Sequence, residues 1–255
     1  MKAQKMAQRK IKEVFFDWDG TFADTEAVSI QLTRRVLTDY ANAVFGRPMT
    51  EQIDKLEMRG KDFGQIGRQF QEVLNAGLPD NEKVNIDIED LRTTKLRPAT
   101  REALMNAKLA PGIEGVVTEL QDDMNLGVAV VSNSPRLRIQ PLLDKNGLNE
   151  RIPAKRLFSA FEDVAGKLKE DPAIYLLAAE TLEVDPSEAA AVEDSVTGMR
   201  SAKGAGIGLR IGFTGLARRE EVEELKTSLL REGAHIVIDD MKQLPDVIRN
   251  YKPAV

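Results

Sequence analysis

The 255 residues carry 36 Lys and Arg against 41 Asp and Glu, a net charge of −5, with 42% apolar and 30% charged residues. That is enough apolar material for one large core or a core with an insert, and the acidic balance argues against nucleic acid as the main partner. With no cysteine and a single histidine, His235, disulfides, thiolate metal sites, cysteine nucleophiles and multi-histidine metal centres are excluded, and acid–base chemistry falls to carboxylates and lysines.

Along the chain, Met1–Lys12 is basic without the apolar stretch of a secretory signal, and no run approaches the roughly 18 apolar residues of a membrane helix. The reading is a solvated leader, with an organelle-targeting segment as the alternative, on a cytoplasmic protein with no membrane partner. Val14–Phe16 is a strand that stops at Asp17. From about Thr25 to Ala110 no strand is convincing. A first helix there sets Ala27, Ile30, Leu37, Ala41 and Val44 on one face, and helical stretches follow at Lys61–Leu74 and Glu89–Lys108, the last interrupted by Pro98. Then the rhythm changes. Helix Ile113–Met124 leads to strand Gly127–Val131, which stops at Ser132. Helix Arg136–Asn146 is closed by Gly147, and helix Asp171–Leu182 begins with Pro172 in its first turn. Strand Ala189–Val192 stops at Glu193-Asp194, helix Ser195–Ala205 follows, and Ile207–Ile211 and His235–Ile238 read as two more strands.

The strands are continuous apolar runs, as in a parallel sheet covered on both faces. Alternation of strand and helix from about residue 112 gives an α/β fold with a Rossmann-like, doubly wound parallel sheet core. The core takes residues 1–24 and 106–255, and residues 25–105 form an inserted α-helical domain.

In such sheets, ligands bind beyond the carboxyl ends of the strands. Here those ends carry Asp17, Asp19 and Thr21, then Ser132 and Asn133, then Glu193 and Asp194, with Lys169 ahead of a helix start. Clustered carboxylates need a cation, and Mg2+ prefers oxygen ligands shared with a substrate phosphate. Thr21, Ser132, Asn133 and Lys169 are the candidates to supply donors and positive charge for phosphate oxygens. Asp17 is a candidate nucleophile toward phosphorus, and Asp19 is placed to protonate a leaving oxygen and then activate water.

Asp17-Trp-Asp-Gly-Thr21, Val131-Ser-Asn133, Lys169-Glu-Asp-Pro172 and Val192-Glu-Asp-Ser195 with Gly198 together resemble the motifs of the haloacid dehalogenase-like superfamily. The likeness covers essentially the whole chain and is greatest to the β-phosphoglucomutase and phosphonatase subgroup, whose members carry a helical cap after the first strand. The resemblance implies that Asp17 is nucleophile and metal ligand, and that Asp19 is general acid/base and gives its backbone carbonyl to the metal. Asp194 and Glu193 would complete the Mg2+ site, and Ser132 and Lys169 would hold the phosphoryl group. Phosphonatases and dehalogenases lack the second aspartate, so Asp19 favours phosphate-ester hydrolysis or phosphomutase chemistry. The family often has proline after the motif lysine, where this chain has Glu170, and Lys167 is the other candidate for that lysine.

Ser132 also suits a helix N-cap, and Glu193 an outer partner of the metal ligands. Trp18 is expected to point away from the aspartates and pack. His235 reads as structural or surface, Asp239 and Asp240 as loop caps, and Arg218–Glu221 as a charged helix face. Arg59-Gly60-Lys61 ahead of a helix start suits either a grip on a distal substrate group or a solvated turn. The expected enzyme is a phosphatase for a small phosphorylated metabolite, perhaps a sugar phosphate, acting between two lobes with cap closure excluding water. A phosphomutase and a catalytically silent binding protein are the alternatives.

Overall fold

The computed structural model describes residues 10–46, 48–56, 58, 63–164 and 171–252. The chain forms two compact units, Met1–Asp24 with Lys108–Val255, and Thr25–Ala107. It opens with β1 (Glu13–Phe16) and the short β2 (Ala23–Asp24), then runs through α1 (Thr25–Phe45), α2 (Thr50–Asp54), α3 (Phe63–Asn75), α4 (Ile88–Leu91) and α5 (Arg97–Leu104). It returns along β3 (Lys108–Leu109), α6 (Ile113–Thr118), β4 (Gly127–Ser132), α7 (Arg136–Lys145), β5 (Leu157–Ser159), α8 (Ala160–Asp163) and α9 (Ala173–Thr181). The last stretch is β6 (Ala189–Glu193), α10 (Val196–Gly204), β7 (Leu209–Phe213), α11 (Val222–Glu232), β8 (Ile236–Ile238) and α12 (Leu244–Asn250).

In the first unit, β5, β4, β1, β6, β7 and β8 lie side by side in that order as one sheet, every pair parallel. Phe15, Ala129, Val131 and Ala191 on one face pack against Ile174, Tyr175 and Ala178 of α9 and Ala202 of α10. The alternate residues Val14, Phe16, Val130 and Val192 are also fully buried. Both faces are therefore covered, which is why these strands read as unbroken apolar runs. The strand order reverses at β1, with the second sheet strand in chain order on one side and the fourth on the other. That reversal is the switch point at which such sheets open a crevice.

The second unit is helical, with a core including Leu37, Ile53 and Phe70, all fully buried. α1 buries Thr25, Leu32, Thr33, Val36, Leu37 and Ala41, whereas Val44, expected on the inner face, is 42% exposed. The break expected at Pro98 is a wide turn instead. Arg97 N–H reaches back to the Arg92 carbonyl, and the chain stays helical into α5 with Pro98 in its first turn, where a missing N–H costs nothing.

Four stretches differ from the sequence reading. β5 is only Leu-Phe-Ser, too short for a pattern. β3 lies in the stretch expected to hold no strand, and its two residues pair antiparallel with β2. β7 starts at Leu209 rather than Ile207, because Ile207 N–H donates to Ala202 O and closes the end of α10. Arg218–Glu221 is a turn ahead of α11 rather than a helix face. Among the described residues no helix is long and apolar enough to cross a membrane.

Candidate active site

β1 and β6 run in register with Phe16 opposite Val192, so the chain leaving each strand sets Asp17 beside Glu193 and Asp194. Asp17 N–H continues the ladder by donating to Val192 O at 3.0 Å. One carboxylate oxygen from each of Asp17, Glu193 and Asp194 lies within 4.8 Å of the others. Asp17 is 7% exposed and Glu193 fully buried. Buried like charges at this separation oppose one another unless a cation joins them, and hard oxygen donors suit a divalent ion.

The loop after Asp17 is built to bring the third carboxylate in. Trp18 O accepts from Phe22 N–H and Ala23 N–H, each at 3.0 Å, and the Trp18 ring stacks on Phe22 at 5.3 Å, inside the core as expected. Gly20 turns the chain at φ +81°, and a Cβ there would lie 2.0 Å from Asp194 Oδ2. Thr21, expected to bind phosphate, is fully buried, and its hydroxyl donates to Asp194 Oδ1 at 3.4 Å. It supports a carboxylate from below.

Asp19 faces the other neighbour of β1. Its Oδ2 accepts from the Ser134 hydroxyl at 2.5 Å, and Arg138 Nη2 stands 3.8 Å from its Oδ1. Ser132, buried at the end of β4, accepts the Ser134 N–H at 3.0 Å, with Asn133 exposed beside it. So Asp17, Asp19, Ser132, Glu193 and Asp194 meet at the carboxyl ends of three adjacent strands. Lys169, with Lys167, and Arg59 and Lys61 lie outside the described residues, as does most of the basic leader.

Glu193 is held from both sides. Oε1 accepts from the Tyr175 hydroxyl and Oε2 from the Ser195 hydroxyl at 3.3 Å. Ser195 also caps α10 through Gly198 N–H, and a Cβ at Gly198 would meet Glu193 Oε2 at 2.0 Å. Burial pushes the Tyr175 phenol well above its ordinary range, helped by the negative charge of Glu193 and then of Asp17 and Asp194.

Residues 11–206 match the family of haloacid dehalogenase-like hydrolases. This chain belongs to that family. Among its relatives, a phosphorylated carbohydrates phosphatase of Thermotoga maritima is 28% identical over 199 residues, 77% of this chain and 82% of that protein. A CBBY-like protein of Arabidopsis thaliana is 38% identical over 122 residues, a match that covers 47% of this chain and only 38% of that protein. The crystal structure of a haloacid dehalogenase-like protein of unknown function from Agrobacterium tumefaciens superposes with a TM-score of 0.70 at 28% identity, over 94% of this chain and 98% of that one.

In this haloacid dehalogenase-like site, sequence reasoning passed over Ser134, Arg138 and Tyr175. Tyr175 carried a signal, since a tyrosine on the otherwise aliphatic face of Ile174 and Ala178 needs a partner for its hydroxyl. Ser134 was visible only as a third polar residue after the strand. The other polar residues weighed in the sequence lie in supporting roles. His235 Nδ1 accepts from Arg210 N–H at 3.0 Å. Asp240 caps the turn at Lys242 N–H, and Asp239 accepts from Gln243.

Proposed function

We propose that the protein is a Mg2+-dependent phosphatase of a small phosphorylated metabolite, of the sugar-phosphate class, acting through an aspartyl phosphate on Asp17. One observation carries the reading: Asp17, Glu193 and Asp194 bring carboxylate oxygens within 4.8 Å of one another, with Asp19 two residues along the same loop. The phosphorylated-carbohydrate activity named for the Thermotoga maritima relative supports the substrate class.

Asp17, Glu193, Asp194 and the Asp19 carbonyl would hold Mg2+, whose charge offsets that of the phosphate and the carboxylates. An Asp17 oxygen attacks phosphorus, and the bond from phosphorus to the ester oxygen breaks. Asp19 delivers its proton to that leaving oxygen. Asp19 then takes a proton from a water that attacks the aspartyl phosphate, the bond from phosphorus to Asp17 breaks, and inorganic phosphate departs. Ser132, Asn133 and Lys169 are assigned to the phosphoryl oxygens, where charge spreads in the transition state.

The test is phosphate release from a panel of small phosphate esters, with Mg2+ and with excess chelator, beside Asp17→Asn. Release that needs Mg2+ and disappears in the variant is the expected result. No release from any ester defeats the phosphatase reading. Turnover only when a sugar bisphosphate is added would show a phosphomutase, and unchanged release in Asp17→Asn would remove Asp17 as nucleophile.

A further inference from the structure

Two arginines sit two residues apart at the start of α7 and are treated oppositely by the fold. Arg136 engages all three of its guanidinium nitrogens: Nε to Leu157 O at 3.1 Å, Nη1 to Glu162 Oε2 at 2.6 Å and Nη2 to Asp163 Oδ2 at 2.6 Å. The Arg138 guanidinium makes no hydrogen bond within the described residues, and its Nε is buried without a partner. Among the described residues its ion pair is with Asp19, Nη2 to Oδ1 at 3.8 Å, beyond hydrogen-bond reach. A buried donor left unpaired is a standing cost to the fold and calls for a reason. The side chain is 36% exposed, so it is not sealed beneath the site.

We infer that Arg138 is a substrate-binding residue that selects phosphate esters bearing a carboxylate on the leaving half, close to the ester oxygen. This rests on the phosphomonoester reading above. In that reading Asp19 meets the leaving oxygen, so a cation 3.8 Å from Asp19 reaches substituents a few bonds beyond that oxygen and not the transferring phosphoryl group. A planar guanidinium with free donors matches a carboxylate by paired hydrogen bonds. A second phosphate is the poorer fit, because a dianion would meet stronger repulsion from Asp17, Asp19, Glu193 and Asp194 than a monoanion does.

The experiment measures binding by calorimetry, with Mg2+ present, of three compounds that cannot be hydrolysed: phosphonopropionate, propylphosphonate and ethylene diphosphonate. The full chain is compared with Arg138→Met and Arg138→Lys, each checked for cooperative melting. Phosphonopropionate is expected to bind the natural chain about 10- to 100-fold tighter than propylphosphonate, the worth of a charge-assisted pair. That ratio collapses toward one in Arg138→Met and is partly kept in Arg138→Lys. Equal binding of those two phosphonates to the natural chain, or a ratio that survives in Arg138→Met, overturns the assignment and leaves the phosphomonoester reading standing. Tightest binding of ethylene diphosphonate overturns the choice of carboxylate. If none of the three binds, the phosphomonoester reading and this inference fall together.

Discussion

The hydroxyl of Tyr175 donates to Oε1 of Glu193, a member of the carboxylate cluster, and both residues are fully buried. The Ser195 hydroxyl occupies Oε2, so the plane of the Glu193 carboxylate is fixed before any cation arrives. Groups that orient a metal ligand in this way commonly matter to metal affinity about 10- to 100-fold. Tyr175→Phe keeps the ring that packs beside Phe15 and removes only the donor. Mg2+ affinity, read from the cation-dependent rise in melting temperature, is expected to weaken about 10-fold. An unchanged Mg2+ response with a lowered melting temperature would make Tyr175 a packing residue and no more.

Two glycines give the carboxylates their room, and each predicts a distinct failure. A Cβ at Gly20 would lie 2.0 Å from Asp194 Oδ2 and would also sit at φ +81°. Gly20→Ala is therefore strained in backbone and side chain together, and should lose about 1 kcal/mol or more of stability along with its Mg2+ response. Gly198 has no such backbone demand, but its Cβ would meet Glu193 at 2.0 Å. Gly198→Ala should displace Glu193 and lose the Mg2+ response with a smaller fall in stability. Denaturant melts with and without Mg2+ separate the two, and a full Mg2+ response in either variant would show that its carboxylate can move without cost.

Ser134 holds Asp19 through a 2.5 Å hydrogen bond from its hydroxyl. A carboxylate that must first give and then take a proton works only if it points at the leaving oxygen. Ser134→Ala frees it. A fall in kcat of about 10-fold, with KM changed less, is the expected outcome, since a hydrogen bond to a charged group is worth that much. A change confined to KM would place Ser134 on the substrate instead.

Much of this was legible in the sequence, and the reasons for success and failure are physical. The strands that carry chemistry, β1, β4 and β6, are buried on both faces and end abruptly in polar or charged residues, so Asp17, Ser132 and Glu193 marked their own positions. β5 was not legible because Leu157–Ser159 is too short to show any period. α1 was legible as a helix and its inner face in part: Leu37 and Ala41 are buried as expected, but so are Thr25 and Thr33, polar types that a hydrophobic stripe does not select. Thr21 fell inside a recognised motif, yet its contact with Asp194 depends on how the Gly20 turn folds back. Arg138 could not be told from its neighbour Arg136 in the sequence. Only the positions of Glu162 and Asp163, which satisfy one arginine and leave the other, separate them.

His235 sets a pH dependence away from the site. Its Nδ1 accepts the Arg210 N–H at 3.0 Å, and Nε2 lies 3.1 Å from Arg210 Nη2. Protonation would turn the acceptor into a donor aimed at a donor, beside a guanidinium. Burial first, and then the Arg210 charge, hold the ring's pKa below its ordinary value. A lowered pKa means the folded state binds the proton less well than the unfolded chain. The stabilising contribution is therefore whole above the unfolded pKa of about 6.5 and is lost as pH falls below it toward the folded value. The residue as a whole stays largely exposed, so this burial is only partial and the effect is small, best read as a difference. His235→Asn keeps an acceptor and removes the titration. Between neutral pH and about pH 5 the natural chain should lose more melting temperature than His235→Asn. Carboxylates common to both proteins cancel in that comparison. Parallel pH profiles would show that the Arg210 contact accommodates the charged ring.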